Sequence, residues 1–145
     1  MSKFQLRGNY FNNTFSNPQK FDYSIKRHCP ADLDTLLWDM PIVLDEVDKV
    51  LESAHRGFKT WKQISVEERC VFLKKYQEIV ELRKNDIATA ISLDTGKPFW
   101  EALTEVGTIA NKVRVTIEDS LPRIKHRKID SIMPGCNGHV YYKPL

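Results

Sequence analysis

Three cysteines, four histidines and one file of charged side chains are the groups here with the chemistry to act on a substrate. Cys29, Cys70 and Cys136 lie far apart and form no Cys-x-x-Cys pair, which argues against a disulfide framework and against a zinc site. Cys70 falls among apolar residues of a helical pattern, where a small buried hydrophobe is expected rather than a nucleophile. His28, His55, His126 and His139 lack metal-ligand spacing, and His55 sits on a charged helix face. There is no Gly-x-Ser-x-Gly elbow, no Gly-x-Gly-x-x-Gly turn and no complete phosphate loop. Thr95-Gly96-Lys97-Pro98 holds a Gly-Lys pair without the upstream glycine, and a corner between two helices explains it better than a phosphate site.

One polar set remains. Glu101, Glu105, Thr108 and Lys112 recur every three or four residues, so they share one face of a helix. Two readings stay open. The face is solvated and laced with ion pairs, or it is the wall of a polar channel in a larger protein. The formal charge is +3, and the surplus is local: Arg123, Lys125, Arg127, Lys128 and Lys143 stand against Asp130. A nucleic-acid footprint would usually be broader and interleaved with aromatics, so a charged connection between packed elements is the default. Nucleic acid through Arg123–Lys128 is kept as a rival.

The elements that must position these groups fall into three zones, 1–44, 45–122 and 123–145. With 145 residues, 41% hydrophobic and 28% charged, the chain suits one domain or part of a larger one and is neither disordered nor membrane-spanning by composition. Met1–Gln5 is not followed by an apolar segment, so no secretory signal is read and the cytoplasm is expected. The first zone mixes aromatics with turn signals at Asn12-Asn13 and Asn17-Pro18. Phe4 and Leu6 alternate as on a strand, and Leu36-Leu37-Trp38 before Pro41 suggests another.

In the second zone Asp45 can cap a helix whose apolar stripe, Val47, Val50, Leu51, Ala54, Phe58 and Trp61, should face a core. Ser65-Val66-Glu67-Glu68 has the form of a capping box, opening a helix with Cys70, Leu73, Tyr76 and Val80 on one side. Asn85-Asp86 reads as a break and a new cap, and Gly96 as the glycine that ends the next helix. After Pro98, Leu103, Val106, Ala110, Val113 and Ile117 make the cleanest helical pattern, ended by Pro122. The third zone reads as a hairpin of Ile129–Met133 and His139–Lys143, with Pro134–Gly138, including an Asn-Gly pair, as its turn. The fold expected is α+β: a β-rich lead-in, an antiparallel helical bundle and a C-terminal β-hairpin.

Taken in order, Phe58-Lys59-Thr60-Trp61, Ser65-Val66-Glu67-Glu68-Arg69, Asp94-Thr95-Gly96-Lys97-Pro98, Glu101-Ala102 and Glu105-Val106 form a set that resembles the N-terminal helices of the aldehyde dehydrogenase superfamily. The stretch Thr95–Val106, with Trp100, Thr104 and the later Asn111-Lys112, is most similar to its succinylglutamate-semialdehyde dehydrogenase branch, which acts in arginine breakdown. The resemblance implies a partial fold lacking the complete Rossmann-like and catalytic domains. In that family a cysteine thiolate attacks the aldehyde, hydride passes to NAD(P), and water hydrolyses the thioester. The nucleophilic cysteine, the general base and the cofactor turn come later than the residues present here, so no catalytic or cofactor residue is assigned and the isolated chain is expected to be inactive. Cys29, Cys70 and Cys136 do not match the nucleophile motif. By position in relatives, Glu105, Thr108 and Lys112 would line the aldehyde tunnel, with Lys112 suited to a carboxylate-bearing substrate. The 123–145 hairpin would join another subunit or the rest of the enzyme. A stand-alone helical interaction module is the rival from another class.

Overall fold

The computed structural model describes residues 3–16 and 18–143. Asn17 of the expected Asn17-Pro18 turn lies outside them, as do Met1, Ser2, Pro144, Leu145 and the side chains of Ser131 and Ile132. Among the described residues, four helices and three two-stranded antiparallel sheets make an α+β fold.

β1 (Tyr10–Phe11) and β2 (Thr14–Phe15) flank Asn12 and Asn13, whose φ values of 50° and 61° are the left-handed pair that a tight hairpin needs and asparagine tolerates. β3 (Tyr23–Cys29) and β4 (Asp32–Ile42) pair from Tyr23↔Ile42 inward, with slips on either side of His28. The strand expected before Pro41 therefore runs through it. With only two strands in this sheet, β4 has an outer edge where a missing N–H costs nothing. The segment Phe4–Leu6 is not a regular strand. Only the Lys3 and Phe4 amides reach β4, donating to the Leu36 and Leu37 carbonyls at 3.0 and 2.7 Å.

A 3-10 turn over Leu44–Glu46 leads into α1 (Val47–Trp61). Asp45 makes no cap there; the nearby Leu44 amide is instead taken by the Asp22 carboxylate at 2.8 Å. α2 (Val66–Leu82) opens on the expected capping box: Ser65 Oγ accepts the Glu68 amide at 3.1 Å and the Ser65 amide donates to Glu68 Oε2 at 3.0 Å. α3 (Lys84–Thr95) starts earlier than the Asn85-Asp86 signal suggested. Asp86 is spent in the first turn, 3.5 Å from Arg83 Nε. Gly96 ends α3 at φ 76°, a conformation that strains any residue with a Cβ.

α4 (Phe99–Arg114) gives way to a π-helical turn over Val115–Ser120 and a 3-10 turn over Leu121–Ile124. The α-helix thus ends well before Pro122. The proline lacks an N–H and its ring crowds the carbonyl four residues back, at Glu118, so its effect reaches into the preceding turn.

β5 (Arg127–Met133) and β6 (Cys136–Val140) close around Pro134-Gly135, with Met133 opposite Cys136. Gly135 has φ 76°, which after a proline is the type II pattern. The Asn137-Gly138 pair lies inside β6, where Gly138 faces Ile129, and Tyr141–Lys143 lie beyond the strand.

Val80 of α2, Ala88 of α3 and Ala102, Val106 and Ala110 of α4 form one buried cluster. Small residues there let three helices approach closely. α1 buries no residue: Leu51 is 62% exposed and Trp61 42%. The α1 stripe expected to face a core is therefore open, and the bundle is built by α2, α3 and α4. No described helix is long and apolar enough to cross a membrane.

Candidate functional site

The polar face of α4 is organised from a residue outside the helix. Lys97 follows Gly96 and points forward along the start of α4, where its Nζ lies 3.1 Å from Glu101 Oε1 and also bonds Glu105 Oε1. The Lys97 side chain is 22% exposed against 44% for each carboxylate. Glu105 first, then Glu101, holds the Lys97 ammonium above the usual lysine range by accepting hydrogen bonds from its charged form.

The corner itself is tied down. Ser92 Oγ donates to the Lys97 carbonyl at 2.7 Å, and Thr95 Oγ1 to the Ile91 carbonyl at 2.7 Å. From β3, Arg27 donates to Asp94 Oδ1 at 3.1 Å and to the Asp94 carbonyl at 2.6 Å, so a cation sits at the C-terminal end of α3, where the helix dipole favours it. An open groove runs beside this corner, lined by Phe4, Leu6, Trp38, Ile91, Asp94 and Glu105 among others.

Of the residues expected on a channel wall, Glu105 does line this groove. Thr108 and Lys112 do not join it: the Thr108 hydroxyl returns to its own helix at the Thr104 carbonyl, 3.0 Å away, and Lys112 is exposed with no ion-pair partner among the described residues. Lys97 and Arg27 were missed by the sequence reading. The Lys97/Glu101 spacing carried a signal for the first. Arg27 and Asp94 stand 67 residues apart, with no local signal. Cys29 is buried, Cys70 half-buried and Cys136 exposed, and all three are free; Cys70 is thus less enclosed than expected. No group of three or more described His, Cys, Asp or Glu side chains has the arrangement to hold a metal. With both Glu carboxylates engaged by Lys97, the arrangement can shape a groove wall and fix its charge.

The profile of the aldehyde dehydrogenase family matches residues 16–145. The chain belongs to the aldehyde dehydrogenase family. It is 43% identical over 74 residues to an N-succinylglutamate 5-semialdehyde dehydrogenase of Paraburkholderia xenovorans (strain LB400), covering 51% of this chain and 15% of that protein. A Burkholderia orbicola (strain MC0-3) enzyme of the same name is 40% identical over 85 residues, covering 59% of this chain and 18% of the relative. The match therefore spans less than a fifth of the length of either curated relative. Among solved structures, NADP-dependent glyceraldehyde-3-phosphate dehydrogenase from Bacillus halodurans C-125, complexed with NADP, superposes with a TM-score of 0.75 at 25% identity, over 88% of this chain and 27% of that one. An aldehyde dehydrogenase from Bartonella henselae gives a TM-score of 0.75 at 25% identity over 90% and 27%. This aldehyde dehydrogenase chain thus carries about a quarter of the fold seen in those structures.

Proposed function

We infer that these residues are the N-terminal part of a cytoplasmic, NAD(P)-dependent aldehyde dehydrogenase that oxidises an acidic semialdehyde, such as succinylglutamate semialdehyde, in arginine catabolism. The 43% identity to a protein named for that substrate carries the substrate assignment. The open apolar stripe of α1 supports a role as one part of a larger packed unit, because an isolated domain normally buries such a stripe.

Within that reading the zones 1–44, 45–122 and 123–145 are a lead-in, a helical wall and an assembly arm. Glu105, held by Lys97, lines the substrate side of α4, and Thr108 and Lys112 extend the same face, with the free Lys112 ammonium suited to the substrate carboxylate. The hairpin joins a second subunit or the rest of the enzyme. The groove offers no fit for a dinucleotide: its lining is largely apolar, and its carboxylates Asp94 and Glu105 are already paired to Arg27 and Lys97. No step through the nicotinamide is assigned to these residues, and the 145-residue chain alone turns over no aldehyde.

The test is NAD(P)H formation with succinylglutamate semialdehyde and with an uncharged aldehyde of similar length. The chain alone should give none. Joined to the region that follows the matched segment in the Paraburkholderia relative, it should turn over the acidic aldehyde with the higher kcat/KM. Turnover by the chain alone, or a folded, active chimera that prefers the uncharged aldehyde, contradicts the reading.

A further inference from the structure

His126 stands immediately before β5, and Tyr141–Lys143 follow β6, so the two meet at the open end of the hairpin. There the Tyr142 amide donates to His126 Nδ1 at 3.0 Å. The same imidazole packs against Tyr141 with ring centroids 5.4 Å apart, and His139 stacks on Tyr141 at 5.8 Å and 9°. A ring nitrogen accepts a hydrogen bond only when it carries no proton, so this contact requires a neutral His126 with its proton on Nε2.

We propose that this end of the hairpin is a proton-operated clasp: neutral His126 holds Tyr141–Lys143 across the mouth of β5 and β6, and protonation of its ring releases them. Protonation puts an N–H where the Tyr142 N–H already points, so two donors face each other. The surroundings add to the effect. His139 lies directly opposite Lys128 in the ladder, and a protonated His139 sets two cations on a cross-strand pair. Asp130 offsets part of this by holding Lys128 at 2.7 Å. It is the one acid between residues 121 and 143, against Arg123, Lys125, Arg127, Lys128 and Lys143. The clasp is therefore closed while the His126 ring is neutral and open once the ring carries a second proton. Release frees the strand end that leaves β6, and with it the order of the edge through which a second strand would pair. That last consequence rests on the assembly role inferred above; the clasp does not.

Nitrogen-15 spectra of the labelled chain test it from about pH 8 to about pH 5, in solution or, should the chain associate, by solid-state measurement on sedimented protein. Near the alkaline end, His126 Nδ1 should show the shift of an unprotonated acceptor. The Tyr142 amide should titrate with the His126 ring and, corrected for intrinsic rates, exchange about fivefold faster at the acid end. His126→Gln should abolish the pH response of Tyr142, while His139→Gln should keep it. A proton on Nδ1 near pH 8, a Tyr142 amide indifferent to the His126 titration, or a response lost in His139→Gln but kept in His126→Gln would overturn the proposal. Unchanged assembly with a working clasp would sink only the assembly role.

Discussion

Lys97 reaches along α4 to bond Glu105, eight residues ahead, from a position outside that helix. The pairing ties the wall of the groove to the corner at Gly96, whose left-handed turn immediately precedes the lysine. Sequence distance hides the link, and the ends of α3 and α4 create it.

Removing that cation should loosen the start of α4. In Lys97→Met, Glu101 and Glu105 are like charges one turn apart with no cation between them. Amides over the first two turns of α4 should exchange a few-fold faster, a small effect fitting a half-exposed pair, and Lys97→Arg should restore most of it. The Lys97 pKa is raised, so its contribution is complete below the ordinary lysine range and is lost only as pH climbs through the raised value. The difference between wild type and Lys97→Met should therefore stay constant across neutral pH. Equal exchange in all three proteins would show that the pair organises nothing.

The capping box gives the opposite sign. The Ser65 amide, then its hydroxyl, holds the Glu68 carboxyl below its ordinary value. Its contribution is present above the usual carboxylate range and fades as pH falls through the lowered value. Ser65→Ala should cost about 1 kcal/mol of helix start, read as faster exchange of the Glu68 amide at neutral pH. Glu68→Gln should remove the acid-side fraying of α2 seen in the wild type. Persistence of that fraying in Glu68→Gln would assign it to another group.

Core and surface valines should separate cleanly. Val106 is fully buried in the three-helix cluster and Val71 is 53% exposed. Val106→Ala should cost about 2 kcal/mol through lost burial and a residual cavity, and Val71→Ala should stay within about 0.5 kcal/mol. Denaturation midpoints read at equal protein concentration check this. Similar costs at both positions would place the core elsewhere.

What was legible in the sequence is what a few neighbouring residues decide. Ser65 and Glu68 close their box within one turn, Gly96 takes φ > 0, and of the expected α4 stripe Val106, Ala110 and Val113 are buried while Leu103 and Ile117 are half-buried; Ala102, outside that stripe, is buried as well. The failures have distant or competing causes. Asp45 lost its capping role to a 3-10 turn whose first amide is held from 22 residues away by Asp22. Asn137-Gly138 lost the hairpin turn to Pro134-Gly135, which closes it with both φ values already favoured. On the candidate site, the polar face of α4 drew attention to Glu105, whose substrate role is a proposal; its partner Lys97 read only as part of the corner, and the groove Glu105 borders draws Phe4 and Trp38 from the lead-in. The α1 stripe is amphipathic as expected but not buried: Phe72 and Arg69 of α2 meet Trp61 at its end, β1 touches the helix, and no α1 residue is enclosed.

The exposed stripe of α1 separates a self-sufficient domain from one part of a larger packed unit. Sedimentation velocity of the chain over a concentration series, with binding of a hydrophobic dye, measures whether the α1 face is an unfilled interface. An unfilled α1 interface gives concentration-dependent self-association and strong dye binding, both reduced in Leu51→Lys/Phe58→Lys with helix content unchanged. A monodisperse monomer that binds no dye and unfolds in one cooperative transition would contradict it.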